Sequence, residues 1–236
     1  AVPHHLIDIR DVTDPFNVVD FVHEATFAFH TIRGRETIPI VVGGSGFYLH
    51  ALLYGPPQGP PPVPEIRRAL ENELELFGPD ALYAKLQALD PDYAKTITLH
   101  DRHKIVRALE IMTLTRTKVS EFDWRNRDHL KKYEFHCWFL HRPKENLYRR
   151  IERRCDKMIQ EGFLEEVARL EQEGIRENST AASAIGYRQA LEYLSSARSR
   201  GDFDHFMQEF KKATRHYAKR QLTWFRREPL FRWLDI

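Results

Sequence analysis

Only two cysteines, Cys137 and Cys155, stand in 236 residues. They cannot supply a disulfide framework, and alone they cannot make a four-thiolate zinc site, so a reducing cytosol is the expected compartment. No apolar run approaches the roughly 18–20 residues that span a bilayer, which excludes a membrane-embedded helical protein. There is no His-Glu-x-x-His, and His100 and His103 have no third partner at ligand spacing, so metal-histidine chemistry is not expected. No Ser/His/Asp triad, internal repeat or sustained heptad is legible. An initiator Met, a basic leader and an apolar signal core are all missing: the chain opens Ala1-Val2-Pro3-His4-His5-Leu6-Ile7-Asp8-Ile9, which reads as starting partway into a folded unit.

What is there is 42% apolar and 30% charged, the profile of a globular chain of one large or two small domains. Leu6–Ile9 reads as a short strand. Asp14-Pro15 reads as the cap and first residue of a helix reaching about residue 33, where Gly34 would end it in a left-handed turn. Ile38-Pro39-Ile40-Val41-Val42 is an unbroken apolar run of the kind found in a strand buried on both faces. Gly43-Gly44-Ser45-Gly46 follows, and then a helical stretch over 47–53. Strand, glycine turn and helix in succession predict an α/β architecture with parallel strands. Residues 55–64 hold six prolines and two glycines and predict a stiff connector. Beyond it, helices are predicted over 65–77, 79–88, 91–96 and 101–115, as an inserted lobe. A strand over 133–140 then returns to the sheet, and from 144 onward the chain reads as mostly helical.

Three constellations can carry chemistry. Gly43, Gly44, Ser45 and Gly46 lie where an open α/β sheet places its ligand loops; glycines admit an anion to the backbone, and Ser45 adds a hydroxyl. No Gly-Lys-Ser/Thr follows, so this is not a Walker A loop, and a plain tight turn explains the same residues. Tyr148–Arg154 sets four arginines at helical spacing: one turned inward can fork onto a diphosphate, whereas a solvated face paired with Glu152 and Asp156 accounts for the others. Residues 211–227 carry seven Lys/Arg and no acid. Lys212, Arg215, Lys219 and Arg226 recur along one helical face, interleaved with Tyr217, Trp224 and Phe225. This pattern suits a phosphate backbone, with aromatics able to stack on unpaired bases; the plainer alternative places the aromatics in the core.

In this order, Pro3–Asp8, Val42–Tyr48, Arg107–Glu110, Ile185–Gln189 and Lys219–Arg226 resemble the bacterial tRNA dimethylallyltransferases (tRNA isopentenyltransferases). The likeness extends from residue 3 to about 234. It implies a P-loop-kinase-like parallel α/β core, here without its N-terminal part, formed by 1–55 and 133–236 with helical C-terminal elements. It also implies a helical insertion over 56–132 that grips the anticodon stem-loop. The implied reaction moves a dimethylallyl group from dimethylallyl diphosphate to the N6 amine of the adenosine 3′ of the anticodon, with Mg²⁺ as cofactor.

Mapped onto this sequence, the resemblance implies that Gly43, Gly44, Ser45 and Arg154 bind diphosphate, with Ser45 and Arg154 catalytic and sharing one cavity. Ser45 stands where the family has Thr, and keeps the hydroxyl. tRNA contacts are implied at Arg67, His103, Lys104, Arg107, Ser183, Ile185, Gly186, Tyr187, Arg188, Lys219, Arg220, Gln221, Thr223, Trp224 and Arg226. The family's glycine-rich loop ending in Lys-Thr and its Asp-Ser segment, with the metal ligands, are not found in this sequence. The expectation is therefore an incomplete enzyme that keeps RNA-contact surface without full activity, exposes an unpaired sheet edge or apolar face, and exists as a cytoplasmic monomer. A prenyltransferase acting on free adenine nucleotide, a non-catalytic RNA-binding module and a small-molecule kinase remain the alternatives.

Overall fold

The structure, a computed structural model, describes residues 2–57, 59–122 and 133–236. It divides into two compact units, Ala1–Gly55 with His129–Ile236, and Pro56–Asp128. The expected end of the insertion at residue 132 lies outside the described residues.

The Pro56–Asp128 unit is helical because its apolar residues recur every three or four positions. α3 (Pro64–Leu89) starts with proline in its first turn, where a missing N–H costs nothing. Gly78, at φ 79°, leaves helical geometry ahead of Pro79, so α3 is two helices meeting at a kink, at the break expected between 65–77 and 79–88. α4 (Pro91–Ala94) is capped by Asp90, and α5 (Arg102–Thr115) packs back on α3. Leu70, Leu74, Leu82, Leu86, Ile105 and Leu109 form the core between them. Asp90 is fully buried. Burial opposes its charge, but N–H donors from Ser120 and Tyr93 hold its carboxyl below the ordinary range.

In the other unit, α1 (Val18–Arg33) begins later than the sequence suggests. Asn17 and Asp20 form a reciprocal capping box, which fixes the start more firmly than Asp14-Pro15. Gly34 ends the helix at φ −61°, a right-handed residue and not the left-handed cap expected. α2 (Gly46–Tyr54) packs against α1 through Leu52, Ala25 and Phe29.

Two expected strands do not form. Residues 6–9 and 38–42 adopt no strand pairing, and Ile38, Ile40 and Val42 are 86%, 82% and 91% exposed. A strand exists only through hydrogen bonds to a neighbour, and no described strand runs beside them. The strand expected over 133–140 starts late, as β1 (Cys137–His141), and pairs in parallel with β2 (Phe231–Asp235), which the sequence did not announce. The class is mixed α/β, with a single parallel pair among the described residues.

α6 (Lys144–Gln160), α7 (Phe163–Gln172), α8 (Ser179–Ala182), α9 (Tyr187–Leu194) and α10 (Arg200–Phe225) complete this unit. Phe163 and Phe206 each stack on Phe210, at 5.6 and 5.9 Å between ring centres, and Cys155, Val167 and Leu191 fill around them. At its far end α10 buries Phe225 between Phe139 of β1 and Phe231 of β2, which ties the helix to the strand pair. No helix among the described residues is long and apolar enough to cross a membrane.

Candidate functional site

The glycine turn and the last third of α10 meet. A Cβ on Gly44 would lie 2.0 Å from the Gln221 amide nitrogen, and one on Gly46 would lie 2.2 Å from the Trp224 ring. Gly46 is therefore required by the Trp224 ring, a reason the sequence did not show; at Gly44 the flexible end of Gln221 would have to move, and Gly43 borders open space. Ser45 caps α2: its hydroxyl accepts the Tyr48 N–H at 3.4 Å and keeps its own proton free to donate. The turn thus presents a hydroxyl and the N-terminal amides of a nine-residue helix, a pairing suited to an anion. Tyr48 is held neutral, its hydroxyl pushed above its usual value by burial and then by Asp20.

Arg154 is exposed on α6 and makes no hydrogen bond or ion pair among the described residues. Neither Ser45 nor Arg154 lines the 180 Å³ cavity beside the C-terminal end of β1. Gln221 lines that cavity, together with Arg142 and Arg150. Arg150, one turn before Arg154, is a cation that periodicity could not distinguish from its neighbours.

The basic helix divides into two parts. Lys211 bonds Asp156 at 2.6 Å, Arg215 bonds Glu152 at 2.7 Å, and Lys212 bonds Glu209 at 2.9 Å. A stretch free of acids in sequence is thus partly neutralised, Lys211 and Arg215 by α6 and Lys212 by Glu209 of α10 itself. Lys219 and Arg226 are exposed and unpaired among the described residues, and Arg220 lies over the Tyr217 ring at 5.5 Å. Thr223 is exposed, its hydroxyl donating to the Lys219 carbonyl at 3.1 Å. Of the three aromatics proposed to stack on bases, Phe225 is core and Trp224 packs on the glycine turn and edge-on to His50; Tyr217 alone faces outward.

The Ile185–Gln189 segment is more structural than its sequence suggests. Gly186, at φ 94°, is buried where a Cβ would strike Phe210 at 2.9 Å, and its N–H donates to the buried Gln189 side chain. The Tyr187 hydroxyl donates to Glu166, and burial with that carboxylate pushes its pKa up to about 12. The Gly186 N–H and the Tyr187 hydroxyl are thus both engaged within the fold. Ser183 and Arg188 are exposed, and Ile185 is half-buried.

In the helical unit, His103 and Lys104 are exposed on the first turn of α5, with Lys104 3.5 Å from Asp101. Arg67 and Arg107 each bond Glu110 at 2.7 Å. The Glu110 side chain is fully buried; it also accepts the Val63 N–H at 2.9 Å, and Arg107 donates to the Pro60 carbonyl. Burial works against the Glu110 charge, yet these donors hold its carboxyl below the usual value. Among the described residues no group of three or more His, Cys, Asp or Glu converges on a metal position.

The IPP transferase family model matches residues 1–228. A tRNA dimethylallyltransferase of Protochlamydia amoebophila is 60% identical over 235 residues, covering 100% of this chain and 68% of that protein. The crystal structure of a tRNA isopentenylpyrophosphate transferase from Bacillus halodurans is 34% identical with a TM-score of 0.65, covering 99% of this chain and 72% of that one. A eukaryotic dimethylallyltransferase solved acting on tRNA is 27% identical with a TM-score of 0.76, covering 99% of this chain and 60% of that one. Turn, helices and strand pair are thus those of a transferase fold, and the chain belongs to the IPP transferase family.

Proposed function

We propose that the protein is a tRNA dimethylallyltransferase, moving a dimethylallyl group from its diphosphate to the N6 amine of the adenosine 3′ of the anticodon. The ester C–O bond breaks, an N–C bond forms, pyrophosphate leaves and the amine loses a proton. The observation that carries this reading is the packing of the glycine turn on the basic helix through Gln221 and Trp224. An anion site and an RNA-sized cationic surface are thereby parts of one unit, and a free nucleotide needs only the first.

In this reading the Ser45 hydroxyl and the α2 amides take negative charge as it gathers on the leaving diphosphate, and Arg154 neutralises it from α6. Lys219, Arg220 and Arg226 hold the RNA backbone. The adenosine leaves its stack to meet the donor, which is least costly in a single-stranded loop. A cytoplasmic monomer is the matching working state.

The test is transfer of labelled dimethylallyl from its diphosphate to unmodified tRNA. These 236 residues contain no glycine-rich loop ending in Lys-Thr, so the assay uses protein expressed from the whole gene. Transfer that tRNA competes away and AMP does not supports the reading; absence of transfer to every tRNA bearing that adenosine overturns it. Arg154→Ala is expected to lower kcat about 100-fold while leaving tRNA affinity nearly unchanged.

A further inference from the structure

The Pro56–Asp128 unit contains a second concavity that the reaction above does not use. It has a volume of about 520 Å³ and lies against the C-terminal half of α5. Leu70, Leu109 and Met112 supply apolar lining, and Lys85, Arg116 and Lys118 supply positive charge. No Asp or Glu is among the lining residues. Lys85 is already held by Glu73 at 2.8 Å, whereas Arg116 and Lys118 are exposed and make no hydrogen-bonded side-chain pair among the described residues. Arg116 ends α5 at φ 60°, a left-handed position that glycine fills at less cost.

Apolar lining with an acid-free cationic rim matches one chemistry well: a flat, weakly polar body joined to an anion. The volume falls within the range of about 300–1,000 Å³ typical of small-ligand sites and accommodates one nucleotide. Resting on the tRNA reading given above, we infer that this cavity receives a single unpaired nucleotide of the tRNA. Its base lies on Leu70, Leu109 and Met112, and its phosphate on Arg116 and Lys118. The cavity begins at Leu109, but its cation Arg116 lies nine residues beyond Arg107, about 13 Å of helix, so the phosphate seat is separate from the implied contacts at His103, Lys104 and Arg107. It recognises shape and charge and takes no part in bond making.

The experiment measures binding of unmodified tRNA by fluorescence anisotropy across a salt series, using protein expressed from the whole gene. The double variant Arg116→Glu/Lys118→Glu is expected to weaken binding about tenfold or more at low salt. Its slope of log affinity against log salt should fall by about 0.7, the value for the one single-strand phosphate held there. Thr113→Trp, which fills the cavity from its exposed wall, is expected to weaken binding several-fold with the slope unchanged. Lys95→Glu, exposed elsewhere on the same unit, serves as the charge control and should have little effect. Parent-like affinity and slope in the double variant and in Thr113→Trp overturn the inference while the transferase reading stands. An equal loss from Lys95→Glu also overturns it, because the effect is then diffuse charge. Failure of the parent protein to bind or modify any tRNA defeats both.

Discussion

The two halves of the basic run 211–227, most of it on α10, have similar composition and opposite employment. Around Lys211, Lys212 and Arg215, each cation has an acid within 3 Å, and two of those acids belong to α6. From Lys219 onward the cations have no acid partner among the described residues, while Gln221 and Trp224 lock the helix to the glycine turn. The same residue types thus join two helices in one half and leave charge for a partner in the other. A basic run in a sequence therefore does not say which of its charges are spent. Acids brought close by packing decide that.

Four substitutions sharpen or break this contrast. The largest effect is expected from Gly46→Ala, whose methyl group needs space held by the Trp224 ring. It should displace the turn and cut kcat by about 100-fold, the scale of a 1 Å misplacement at a reacting centre; near-normal turnover would mean that the turn does not serve the reaction. Next, Lys219→Ala/Arg226→Ala should weaken tRNA binding about tenfold at low salt and flatten its salt dependence by up to about 1.8 in slope, with kcat little changed. An unaltered salt slope would remove the contrast between the two halves.

Glu110→Gln tests a charge that is spent entirely within the fold. Its depressed carboxyl pKa means that its stabilisation is fully present above the ordinary value of 4.5 and is lost as pH falls through the lower folded value. Denaturant titration should show a loss of about 2 kcal/mol at pH 7 and a shallower decline on acidification than in the parent. The smallest effect is expected from Arg215→Ala. Its partly exposed pair with Glu152 should contribute less than about 1 kcal/mol to stability, and tRNA affinity should stay within about twofold. A loss as large as that of the Lys219/Arg226 variant would place Arg215 on the RNA surface after all.

Helices were legible because their evidence is local. The spacing of Leu70, Leu74 and Ile105 or the proline at the start of α3 can be read without knowing any neighbour. Strands were legible only in part: β1 was expected, but Ile38–Val42 has strand composition and no partner among the described residues, while Phe231–Asp235 has a partner in β1 that nothing nearby in sequence announces. The site divides in the same way. The glycine turn and the basic run are visible as patterns. That Gln221 presses on Gly44, or that Glu110 occupies Arg67, depends on contacts across dozens of positions.

Glu110 has a further consequence. One carboxylate holds two guanidinium groups and, through Val63, the end of the proline-rich segment. A geneticist screening that region should find no allele of Glu110 that loosens the segment while sparing the arginines. The defects will appear together, and they separate only in changes elsewhere, such as Val63→Pro, which removes the N–H alone, or a substitution of Arg67.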